Sequence, residues 1–181
     1  MQQLGISYLA LTILSNNTQL DISQITKSIA TTGCNIVATR LNRLGTDLAM
    51  YLLLSGNWNE IAKAEASIKT LEKKHDLKIN LTRTLFETQT TSTLLYNISV
   101  LTADRPGVLN QLGSFLKRHH INIEEIEVDT FPTLRGTNML NLSINIAIER
   151  EAHIASLREK FLTYCDTINL DASFEPIREL I

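Results

Sequence analysis

The sequence predicts an α+β protein made of two tandem βαββαβ units, each an antiparallel four-stranded sheet with two helices on one face. Three observations predict it. The chain repeats itself: with Cys34-Asn35-Ile36 laid over Ile121-Asn122-Ile123, an offset of 87, Leu14 falls on Leu101, Asn17 on Asp104, Ile22 on Leu109, Ile25 on Leu112 and Ile29 on Leu116. Apolar residues alternate with polar ones through Leu94, Tyr96, Ile98 and Val100, and again through Leu140, Leu142, Ile144, Ile146 and Ile148. That period of two belongs to a sheet with one covered face. Between these runs lies Val108, Leu109, Leu112, Phe115, Leu116, the spacing of one helix face.

In the first copy, Ile6 to Leu14 reads as a strand. Asp21 opens a helix through Thr32, with Gln24 at the capping-box position, and Gly33 ends it. Ile36 to Leu44 and Asp47 to Ser55 read as the second and third strands. Asn57 caps a second helix with Glu60 in the box position, and Ile61, Ile68 and Leu71 line its buried side. Leu77 to Leu85 closes the copy as a strand. The third strand is apolar on both sides, Ala49, Tyr51, Leu53 and Leu48, Met50, Leu52, Leu54. The face away from the helices is therefore expected to be covered, by the other domain or a second chain.

The second copy repeats the plan with four extra residues between its second and third strands, since Thr46-Asp47 matches Thr137-Asn138 at an offset of 91. Its second strand changes phase between Ile121, Ile123 and Ile126, Val128, which predicts a β-bulge near Glu124-Glu125. Ile154, Leu157 and Phe161 mark the last helix, and Ile168, Leu170 and Ala172 begin the last strand. The domains run over residues 1–87 and 94–181, joined by a polar linker at 88–93.

Composition narrows the function. Of 181 residues, 44% are apolar and 20% charged, enough for a buried core. A net charge of −2 gives no reason to expect nucleic acid or an anionic membrane. Cys34 and Cys165 are far apart and read as reduced, buried thiols. No signal peptide or long apolar span is visible, so the expected location is the cytoplasm. No nucleophile elbow, phosphate loop or metal-ligand spacing appears. No catalytic residue, metal site or cofactor is predicted, and the chain is not expected to be an enzyme. His119 and His120 suit a helix C-terminus. Glu124, Glu125, Glu127 and Asp129 read as a solvated strand edge.

The stretch with the most specific chemistry is Leu101-Thr102-Ala103-Asp104-Arg105-Pro106-Gly107-Val108-Leu109, a strand, a tight polar turn and a helix start. Pro106 suits a first helical turn. Gly107 lets a ligand or chain approach the backbone. Asp104 is a candidate cap, and the remaining amides can receive a carboxylate.

The run ISVLTADRPGVLNQLGSFLKRHHINI, residues 98–123, resembles the opening of an ACT domain, a ferredoxin-like regulatory module. In that family an amino-acid ligand commonly sits where two units meet. The resemblance implies contacts from Thr102, Asp104, Arg105, Pro106, Gly107, Val108 and Leu109, with Asn122 and Ile123. The first copy keeps only Asn17 and Asn35 at matching points and has Thr18-Gln19-Leu20 where the second has Arg105-Pro106-Gly107, so its turn motif is degenerate. The tandem arrangement resembles the glycine cleavage system transcriptional repressor family. That likeness implies a sensor of a small amino acid, glycine first, that restrains a transcriptional activator by binding it rather than DNA. It also implies a protein partner; the homodimer expected here comes instead from the two apolar faces of the first sheet. The alternative it leaves is a regulatory subunit of an amino-acid metabolic enzyme.

Overall fold

The computed structural model describes residues 5–16, 21–75, 77–85 and 93–177. The chain divides into two compact units, Met1–Thr88 and Gln89–Ile181. Unit 1 holds β1 (Ser7–Ser15), α1 (Ile22–Ala30), β2 (Asn35–Leu44), β3 (Asp47–Gly56), α2 (Trp58–Lys74) and β4 (Leu77–Thr84). Unit 2 holds β5 (Thr93–Ala103), α3 (Val108–Arg118), β6 (Asn122–Pro132), β7 (Asn138–Glu149), α4 (Ile154–Thr167) and β8 (Asp171–Pro176). The strand orders are β2-β3-β1-β4 and β6-β7-β5-β8, and every pairing is antiparallel. Two identical topologies from one chain are the structural form of the repeat.

Each unit buries one face of its sheet under its own two helices. In unit 1 the core gathers Leu9, Leu11 and Ile13 of β1, Met50, Leu52 and Leu54 of β3, Ile25 and Ile29 of α1, and Ile61, Ala64 and Ile68 of α2. The four apolar residues Leu48, Met50, Leu52 and Leu54 are thus the helix-covered side of β3. The opposite side is Ala49, Tyr51 and Leu53, with Tyr51 48% exposed. In unit 2, Ile98 and Val100 of β5 join Leu140, Leu142, Ile144, Ile146 and Ile148 of β7 beneath Leu112, Phe115, Leu116 and Phe161. The other side of that sheet is polar. Asn97 donates to Ser143 and to Asn145, both at 2.8 Å, and Asn145 donates to Glu125 at 2.9 Å.

The β6 register shifts between Ile123 and Glu125, where the phase change predicts a bulge. A matching shift lies between Ile36 and Ala38 in β2, which the sequence reading did not include. The Asp21 carboxylate accepts from the Gln24 amide at 3.1 Å and caps α1, which ends at Ala30 rather than Thr32. Asn57 and Glu60 form both arms of the capping box on α2, at 3.0 and 2.7 Å.

Candidate functional site

The turn between β5 and α3 departs from the sequence expectation at Asp104, Pro106, Gly107 and Arg105. Asp104 is not the helix cap: α3 begins at Val108, its N-cap is Gly107, and that cap makes no side-chain hydrogen bond. Pro106 likewise stands before the helix rather than in its first turn. Gly107 has φ +96°, and a Cβ there would meet nothing within 4 Å. Glycine is needed for its backbone angle, not to relieve crowding. Arg105 is used inside the fold: half-buried, it donates to the Ile168 carbonyl at 3.1 Å and to Gln111 Oε1 at 3.3 Å. It ties the turn to the end of α4 and is not a free cation for a ligand.

What the turn offers is therefore simpler. The Asp104 amide donates to the Asn138 carbonyl at 2.9 Å, anchoring the turn to the start of β7 while its side chain stays exposed. The Gln111 amide reaches the Gly107 carbonyl at 2.9 Å, the first bond of the helical ladder. The amides of Val108, Leu109 and Asn110 precede that bond, so they have no partner one turn back, and no side chain caps them. Unpaired amides at a helix start carry positive potential, and the exposed Asp104 precedes the first of them by four residues. Thr102 is 8% exposed at the end of β5, Val108 is buried, and Leu109 is 43% exposed.

Asn122 and Ile123 lie elsewhere. Asn122 pairs with Ala147, whereas the turn end of β5 pairs Ala103 with Met139. Eight residues of β7 separate these points, roughly 27 Å at about 3.4 Å per residue. One unit does not bring Asp104 and Asn122 together. Asn35, the counterpart in unit 1, starts β2 opposite Ser55 and is exposed. Asn17 lies outside the described residues.

The thiols are structural. Cys165 is 1% exposed and its pKa is pushed up to about 11, first by burial and then by the Asp166 charge. Cys34 is 8% exposed. Among the described residues no group of His, Cys, Asp and Glu is arranged to hold a metal, and no helix is long and apolar enough to cross a membrane.

Residues 96–161 match the ACT domain family, and residues 21–82 match a second family described in the same words. The chain is 27% identical over 171 residues to the glycine cleavage system transcriptional repressor of Escherichia coli (strain K12), covering 94% of this chain and 90% of that protein. The same identity and coverage relate it to the Shigella flexneri repressor. A crystal structure of a protein provisionally described as a glycine cleavage system transcriptional repressor superposes with a TM-score of 0.73 at 20% identity, over 96% of this chain and 99% of that one. A protein of unknown role from Galdieria sulphuraria superposes equally well, at 0.73 and 16% identity over the same shares.

Proposed function

With both halves matching ACT domains, the family to which the chain belongs, we propose that this protein is an amino-acid-sensing regulator of glycine cleavage transcription. In this reading it binds a transcriptional activator, not DNA, and glycine alters that binding. The observation that carries it is the end-to-end likeness to the repressor, 94% of this chain against 90% of that protein. A likeness confined to one ACT unit would point only to regulation in general.

The chemistry of the turn agrees with a small zwitterion. The Val108, Leu109 and Asn110 amides suit its carboxylate, and the exposed Asp104 carboxylate suits its ammonium. Asn122 enters from a second copy. In its own sheet β6 is an edge strand whose start lies far from the turn. A second copy is what can bring an Asn122 beside the turn of the first. The homodimer is thereby part of the site. Coupling follows when ligand and activator favour different arrangements of the protein, each shifting the affinity for the other by the same factor.

The test is a thermal-shift panel over the common amino acids. A ligand at a hundred times its Kd adds about 2.7 kcal/mol to the native state. Glycine is expected to raise the melting point, and Asp104→Ala or Asn122→Ala to remove the rise. A rise that both variants leave intact would rule out this site. Co-purification with an activator of glycine cleavage transcription, changed by glycine, tests the partner. Promoter binding by the protein alone would overturn that part.

A further inference from the structure

We propose that unit 2 holds a second small-molecule site, complete within one unit, for an α-amino acid with an apolar side chain. It lies at the sheet end opposite the Asp104 turn. There a cavity of about 680 Å³ is lined by residues that include His119, His120, Asn122, Glu149, Glu151 and Leu157. That volume is within the range of small-molecule sites and larger than glycine requires.

Comparison with the same place in unit 1 shows how the cavity arises. In unit 1 the C-terminus of α1 closes with Gly33 at φ +89°, its amide donating to the Ala30 carbonyl at 3.2 Å. The Glu60 side chain fills the space: a Cβ built at Gly33 would meet it at 3.1 Å, and one at Gly56 at 3.0 Å. Only Asn57 stands between β3 and α2, and the Asn57–Glu60 box seals the helix start. Unit 2 changes each of these. His120 takes the place of Gly33 with φ +55°, making the same bond, to the Lys117 carbonyl at 3.2 Å. Arg150, Glu151, Ala152 and His153 now separate β7 from α4. His153 gives α4 no side-chain cap, and the short Ser156 stands where Glu60 stood. A left-handed conformation is costly for a residue with a Cβ, and such strain gathers at working sites. Here the strained residue lines the opened space.

The lining selects the ligand class. Ile148 and half-buried Leu157, on the helix-covered side of the sheet, give an apolar floor. Glu149 and Glu151 stand on the rim with carboxylates for an ammonium, and Arg150 and the His120 imidazole with donors for a carboxylate, while the His119 ring packs on Phe115 at 4.4 Å. The uncapped start of α4 adds positive potential on the same side. An apolar body with one group of each sign matches all of these. The proposal does not rest on the turn as a site, and Asn122 belongs to both readings, so Asp104→Ala is the variant that separates them.

The test is an NMR titration of the full-length protein with L-leucine, leucinamide and 4-methylpentanoate. L-leucine is expected to shift the amides of residues 119–122 and 149–152, and each analogue lacking one charge to bind about tenfold more weakly. The pair Glu149→Gln with Glu151→Gln is expected to weaken leucine by a similar factor, with the spectrum otherwise kept, whereas Asp104→Ala leaves the titration unchanged. No shifts at millimolar leucine, shifts confined to residues 102–109, or an equal response to 4-methylpentanoate would overturn the proposal.

Discussion

Gly107 holds φ at +96° with empty space around it, so an alanine there meets strain rather than a clash. Gly107→Ala should cost about 1 kcal/mol, the usual penalty for a Cβ in the left-handed region, read as a lower urea midpoint at unchanged slope. Arg105→Ala removes the tie to the Ile168 carbonyl and to Gln111, a loss of about 1–2 kcal/mol. If Arg105 were instead a ligand group, the variant would keep its stability and lose the glycine response. The cysteines give a third residue-level expectation. With Cys165 1% and Cys34 8% exposed, neither should react with a thiol reagent at pH 8 until the protein unfolds. The folded pKa of Cys165 is raised, so its sign is destabilising at high pH. The unfolded thiol ionises from about pH 9 while the native one waits until about 11, and stability falls across that window. Arg105 also shows where reading a sequence ends at this scale. Nothing in Asp104-Arg105-Pro106-Gly107 says that the guanidinium reaches a carbonyl 63 residues away.

At the scale of elements, local signals carried most of the information. Asn57 and Glu60 stand three residues apart, and the box they make is a matter of helix geometry alone. Asn57→Ala should destabilise by about 1 kcal/mol. The β6 bulge was legible because Ile123 and Ile126 are both large and break the alternation visibly. Its twin in β2 was not, because the small Ala38 and the polar Thr39, Arg40 and Asn42 that follow Val37 give no second apolar series against which a phase change would show. The separation of Asn122 from Asp104 was hidden for another reason. Both flank α3 in sequence, but a helix that runs back along its strand puts its two ends at opposite ends of the sheet. One ion pair also belongs to this scale. Arg83 of β4 donates to Glu65 of α2 at 2.8 Å and holds that carboxyl below its ordinary range, chiefly through the hydrogen bond. The folded pKa is depressed, so the contribution is present above the unfolded value and lost as pH falls through the folded one. Arg83 is exposed and Glu65 partly so, and solvent screening keeps the effect small. The melting points of the wild type and Arg83→Gln should differ most above the ordinary carboxylate range and converge as pH falls below it.

For the whole molecule, duplication is what made the fold readable. Selection for a buried face keeps apolar residues at matching positions even where the turn motif has drifted, so Ile25 and Ile29 still answer to Leu112 and Leu116. The two cores differ in kind. Each is built from its own unit's residues. Unit 2 packs Phe115 against Phe161 at 5.4 Å, Phe161 against Phe174 at 5.7 Å and Phe115 on Tyr164 at 5.1 Å, whereas the buried core of unit 1 is aliphatic apart from Cys34 and Met50. Each such aromatic pair adds about 0.5–1.5 kcal/mol beyond the area it buries. Residues 89–181 expressed alone should therefore fold cooperatively, and residues 1–88 alone should fold with a lower melting point, both followed by circular dichroism and calorimetry. A first unit that melts above the second would show that the aromatic cluster does not set the order. A second unit that fails to fold alone would show that its core depends on contacts from the other half.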